Sequence, residues 1–161
     1  MLRKLIIVVA AVLLAGCHKA LPDQAQPSQV FLQKVAKQPG VRALPDGLLI
    51  QVVRSGPADG LRPQLGDEVK VNYEGKLIDG TVFDSSYQRG APAAFGLKGV
   101  IKGWQEALQL MRPGDEWIVY VPPKLGYGEE GGGDAIPPNA ALVFRIELLG
   151  VLPAEGRIQA G

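Results

Sequence analysis

Residues Val71–Ser86, VNYEGKLIDGTVFDSS, and the downstream stretch Leu125–Asn139, LGYGEEGGGDAIPPN, hold most of the side chains in this chain that are equipped to bind or to react. Between them Gly99–Trp104, GVIKGW, sets two aliphatic residues and an indole where they would floor a small apolar pocket. An aspartate placed like Asp84, after Val82 and Phe83, ordinarily caps a turn, but the FDSS run around it and the Gly-Tyr-Gly at 126–128 favour a pocket. Taken alone, Val71, Trp104 and Phe144 would read as core residues and Tyr127 as a loop aromatic.

Covalent and metal chemistry find little support. Ser85 and Ser86 lack a base, since the one histidine, His18, lies far upstream, so a hydrolase triad is excluded. No Gly-Lys-Ser/Thr follows Gly131-Gly132-Gly133, which reads as a flexible flap and not a phosphate cradle. With one cysteine, one histidine and carboxylates at no calcium-loop spacing, no metal site and no cofactor is expected. Near-neutral charge, +1 over 161 residues with signs interspersed, argues against a nucleic-acid partner.

In order and spacing the three segments resemble the FKBP-type peptidyl-prolyl isomerase family, most closely its Mip-like members from the bacterial envelope, over roughly residues 41–151. The resemblance implies rotation of X–Pro bonds without a covalent intermediate. It places Tyr73, Phe83, Phe95, Val100, Ile101, Trp104, Tyr127, Ile136 and Phe144 around the proline ring, with Trp104 beneath it. Phe83, Asp84 and Tyr127 would carry catalysis. The Tyr127 hydroxyl and the Ile101 N–H would donate to substrate carbonyls, while the Asp84 carboxylate, held by Tyr73 and Arg89, would orient and polarise. Proline-containing exported polypeptides would be the substrates, and the family's macrolide inhibitors would fit the same pocket. Two departures, Ala93 where many relatives carry an aromatic and Gly132 where some carry a bulkier residue, would open the rim.

These residues need a frame. Val69, Val71 and Tyr73 alternate with Lys70, Asn72 and Glu74, which is the period of a half-buried strand. Trp117, Val119 and Val121 repeat it, as do Leu142, Phe144, Ile146 and Leu148, and Gly66-Asp67, Asp79-Gly80 and Pro113-Gly114 mark turns between antiparallel runs. Within this region only Gly103–Met111 reads as helix, with Trp104, Ala107, Leu108 and Met111 on one face. The expected fold is α+β, a curved antiparallel half-barrel wrapped around that one short helix.

Upstream, Arg3 and Lys4 precede the apolar run Leu5–Leu14, and Leu14-Ala15-Gly16-Cys17 resembles a bacterial lipoprotein signal. The expectation is a leader over 1–16, a lipidated Cys17, a flexible tether over 17–27, a short helix over 28–40 capped by Ser28, the catalytic domain over 41–151 and a tail over 152–161. Acylation would hold the protein to a membrane without spanning it, the outer membrane ahead of the inner because His18 follows the cysteine. Without the long helical arm that periplasmic relatives often carry, a monomer is the expected state. A chaperone or adaptor that grips peptides in the same pocket with little turnover is the competing reading.

Overall fold

The computed structural model describes residues 20–155; the leader, Cys17 and the last residues of the tail lie outside that range. Seven strands form one sheet: β1 (Val41–Ala43), β2 (Leu49–Arg54), β3 (Glu68–Leu77), β4 (Val82–Ser85), β5 (Ala93–Gly96), β6 (Glu116–Val121) and β7 (Leu142–Leu152). Their order is β1-β2-β6-β7-β3-β4, with β5 also paired to β3 and every pair antiparallel. β3 and β7 form its spine, in register from Glu68 opposite Leu152 to Leu77 opposite Leu142, with a shift between Lys70 and Val71. Such a bulge adds bend and twist, and the sheet curves accordingly.

One helix fills the concave face. It runs Lys102–Leu110, a residue ahead of the span its periodicity predicts. Trp104, Ala107 and Leu108, with Met111 just beyond the helix, are all buried against Val69, Val71, Val119, Leu142, Ile146 and Leu148. Gly103 permits that contact, since a Cβ there would lie 2.8 Å from Val121 Cγ1.

The convex face has a second, smaller core. An N-terminal helix, α1 (Ala25–Val35), lays Phe31, Leu32 and Val35 over Leu49 and Tyr120, with Ile118 and Val143 beside them. Trp117, Val119 and Val121 on β6 point to the concave side, while Tyr120 is only 8 % exposed beneath α1. The half-buried pattern expected of that strand is therefore replaced by burial on both faces.

α1 starts three residues before the expected Ser28. Asp23 Oδ1 accepts the Ala25 N–H at 2.7 Å, and Pro27 falls in the first turn, where a missing N–H costs nothing. Ser28 is not the cap. Its hydroxyl is buried and donates to the Asn139 carbonyl at 2.8 Å while accepting the Ala141 N–H at 2.7 Å, which bolts the helix to the lead-in of β7. The end of the expected tether is tied down as well: the Gln24 N–H donates to the Pro138 carbonyl and the Asn139 amide to Asp23.

Three shorter helical pieces were not foreseen. α2 (Ser86–Arg89) follows β4 directly, and 3-10 turns occupy Leu97–Gly99 and Pro123–Leu125. The central helix, Lys102–Leu110, is α3.

Candidate active site

The cavity opens at the N-terminal end of α3 and holds about 270 Å³. Tyr73 reaches it from β3, Phe83 and Asp84 from β4, Phe95 from β5, Phe144 from β7, Trp104 from α3, and Gly99, Val100, Ile101 and Tyr127 from connecting turns. Residues scattered along the sequence meet because the sheet curves around one helix.

Trp104 is the hub. Its ring lies 5.1 Å from Tyr73, 5.7 Å from Phe95 and 5.3 Å from Phe144, each edge to face, and Phe83 in turn meets Phe144 at 5.6 Å. Edge-to-face pairs of this kind add to apolar burial and fix ring positions. The indole N–H is buried with no hydrogen-bond partner among the described residues. Gly75, under the Phe83 and Phe144 rings, has no room for a side chain: a Cβ would come within 2.6 Å of one and 2.7 Å of the other.

One wall is polar. Tyr73 Oη donates to Asp84 Oδ2 at 2.5 Å, Arg89 Nη1 donates to Asp84 Oδ1 at 2.5 Å, and Arg89 Nη2 donates to Tyr73 Oη at 2.9 Å. Burial alone would push the Asp84 carboxyl up, but the Tyr73 hydroxyl and the Arg89 guanidinium outweigh it and hold the group below the usual carboxylate range. The Tyr73 phenol moves up, from burial first and then its bond to Asp84. Asp84 is thus an anion at neutral pH, with each oxygen engaged.

Besides the buried indole N–H, two more donors stand unengaged. The Ile101 N–H precedes α3 and has no acceptor among the described residues, and the Tyr127 hydroxyl, on a residue 43 % exposed, has none either. Both residues line the cavity, so a peptide carbonyl entering it has donors to meet.

Ile136 does not line the cavity. It is 6 % exposed and packs into the core behind the wall, with its backbone bridged to Gly132 by hydrogen bonds of 2.9 and 3.0 Å. The glycine run, expected as a loose flap, is a tight turn: a Cβ on Gly131, at φ +71, would fall 2.3 Å from the Ile136 carbonyl oxygen. A Cβ on Gly132 would meet both Ile136 and Tyr127 at 3.3 Å. Gly132 therefore leaves room beside Tyr127, while Ala93, opposite Val71 on β5, packs against the core and is not among the residues that line the cavity.

Sequence reasoning missed Gly75 and the serine pair. A glycine inside an alternating strand signals a close approach, and a serine where a strand ends signals a cap. Ser85 does cap α2, accepting the Gln88 N–H at 3.2 Å.

The sequence profile of the FKBP-type peptidyl-prolyl cis-trans isomerases matches residues 60–149, which takes in every residue of this cavity. The chain belongs to that FKBP family. It is 55 % identical over 127 residues to the peptidyl-prolyl cis-trans isomerase Mip of Coxiella burnetii, a match covering 79 % of this chain and 54 % of that protein. To the outer membrane protein MIP of Legionella longbeachae it is 42 % identical, over 87 % of this chain and 59 % of the relative. Among solved structures, a peptidyl-prolyl cis-trans isomerase of Pseudomonas syringae superposes with a TM-score of 0.74 at 40 % identity, covering 80 % of this chain and 93 % of that one. The chain thus spans little more than half the length of the Mip proteins it matches. The curved sheet around a single central helix, expected from the sequence, is the family's architecture.

Proposed function

We propose that this protein is a peptidyl-prolyl cis-trans isomerase that rotates X–Pro bonds of exported polypeptides without a covalent step. The observation that carries the reading is the pairing of an aromatic cavity with two unengaged donors, the Ile101 N–H and the Tyr127 hydroxyl. Amide resonance sets a barrier of about 18–20 kcal/mol, and planarity is best preserved where water solvates the polarised amide. Trp104, Phe83, Phe95 and Phe144 form a wall that excludes water around the proline ring. Burial of the ring serves planar and twisted forms alike, so catalysis depends on contacts that improve as the amide turns. A gain of about 10⁶ in rate needs roughly 8 kcal/mol of such preference. The donors hold the flanking carbonyls while the fixed Asp84 carboxylate biases the field across the bond.

Supporting this reading are the family membership and the names its relatives carry. Macrolides that fill the same pocket would compete with peptide. The lipoprotein-like leader, together with a relative named as an outer membrane protein, supports a lipid-anchored, periplasm-facing protein tied through Cys17.

Isomerisation of a short Xaa-Pro peptide by the full chain in detergent tests the activity. Asp84→Leu is expected to lower kcat/KM by about 10–100-fold, as loss of a charge-assisted contact should, with a smaller loss of peptide binding. A macrolide should abolish what remains. Equal losses of turnover and binding, or a folded protein with no activity at all, would turn the assignment toward a peptide-binding chaperone. The anchor has its own check: Cys17→Ala should abolish a lipid-sized mass increment and release the protein from membranes, and a variant still membrane-bound would show the leader misread.

A further inference from the structure

β4 stops pairing with β3 at Ser85, opposite Glu74. There the chain turns into α2, so no strand remains to meet the backbone of Tyr73 on that edge. Ser86 meets it instead. Its Oγ accepts the Tyr73 N–H at 2.8 Å and donates to the Tyr73 carbonyl at 3.3 Å, and the residue is 0 % exposed. One hydroxyl replaces the pair of ladder bonds that an antiparallel partner would supply.

The other end of the same unit lies open. Asp84 and Arg89 have side chains 43 % and 50 % exposed, and an ion pair so wetted holds its own geometry weakly. Tyr73, 3 % exposed, joins the two ends: its backbone is gripped by Ser86 and its phenol is bonded to both Asp84 and Arg89. Residues 73–89 therefore form a closed loop of contacts in which the side-chain hydrogen bonds buried at both ends are those of the Ser86 hydroxyl with the Tyr73 backbone. The adjacent Ser85 has a separate task, capping α2.

We propose that Ser86 is a positioning residue for X–Pro isomerisation: its hydroxyl sets the distance between the Tyr73 backbone and α2, and through them the place of the Asp84 carboxylate at the cavity wall. This rests on the reading of Asp84 as a working group given under Proposed function. Without the hydroxyl, the Tyr73 phenol and Arg89 no longer converge on one carboxylate geometry, and Asp84 turns toward water. Ligand contacts made by Trp104, Ile101 and Tyr127 are untouched, so turnover suffers while peptide still binds.

The test compares the full chain with Ser86→Ala, Ser86→Cys and Asp84→Leu, measuring kcat and KM on an Xaa-Pro peptide and following the Asp84 carboxyl by carbon-detected NMR as pH falls. Ser86→Ala is expected to lower kcat by about tenfold or more with KM within about twofold, the size of effect that a small misplacement produces. The Asp84 titration should move up toward the ordinary carboxylate range, a shift that a merely structural serine would not cause. Ser86→Cys keeps the volume with a weaker hydrogen-bonding group and should fall between; it carries the test should Ser86→Ala not fold. Folded Ser86 variants with wild-type kcat and an unmoved Asp84 titration, alongside an impaired Asp84→Leu, would overturn this proposal alone. Full activity in Asp84→Leu would overturn the reading of the site, and the role of Ser86 with it.

Discussion

At the scale of single residues, the site depends as much on what is absent as on what is present. Gly75 lies under the edge-to-face pair of Phe83 and Phe144, and a methyl there would occupy space both rings already use. Gly75→Ala is expected to cost about 1–3 kcal/mol of stability, the usual range for overpacking, and to lower kcat/KM by tilting both rings. Urea unfolding and the peptide assay together check this; unchanged activity would mean that the rings do not set the cavity's shape. Asp84 owes its charge to its neighbours. Because its folded-state carboxyl lies below its unfolded value, its contribution to stability is present above the ordinary carboxylate range and is lost as pH falls through the lowered value.

Among elements, the placement of α3 matters most, since it carries Trp104. Two residues on, Glu106 meets Asp46 from the turn between β1 and β2. Burial, and then the hydrogen bond and charge of Asp46, push the Glu106 carboxyl up to about 7. Asp46 moves the other way, principally through its bond to Glu106, with Lys124 adding a smaller attraction. The two groups thus share a proton between helix and turn. A carboxyl whose folded pKa is raised stabilises the fold below its unfolded value and loses that contribution as pH rises through the folded value. The domain should therefore become less stable from about pH 5 to pH 8, and Glu106→Gln should flatten that slope; midpoints of urea unfolding across this range would show it. An equal slope in the variant would place the pH dependence elsewhere.

Over the whole molecule, two cores share one sheet. The concave core makes the cavity, and the convex one binds α1 across β2, β6 and β7. Ser28 fastens the second to the strand that carries Phe144, through the Asn139 carbonyl and the Ala141 N–H. Ser28→Ala leaves that buried N–H without an acceptor and should cost about 1–3 kcal/mol. Peptide turnover by the folded protein should be unaffected, because nothing in the cavity touches Ser28. A fall in turnover would show that the N-terminal segment is coupled to the site.

What could be read from the order of residues alone was the material with a local or periodic cause. Alternation marked β3, β6 and β7, the spacing of Trp104, Ala107 and Leu108 marked the central helix, and motif order marked the cavity's aromatic members together with Asp84, Tyr127 and Arg89. Only the folded chain decided the matters that depend on approach across space. Ser28 reads as a cap until α1 is seen docked on residues 139–141, and Ile136 reads as cavity lining until the turn at Gly131 places it behind the wall. Ser86 carries no signal of its own, because its partners are the N–H and C=O of Tyr73, thirteen residues away. Periodicity records which face of an element is buried; it cannot record which hydroxyl closes a gap left where a neighbouring strand departs.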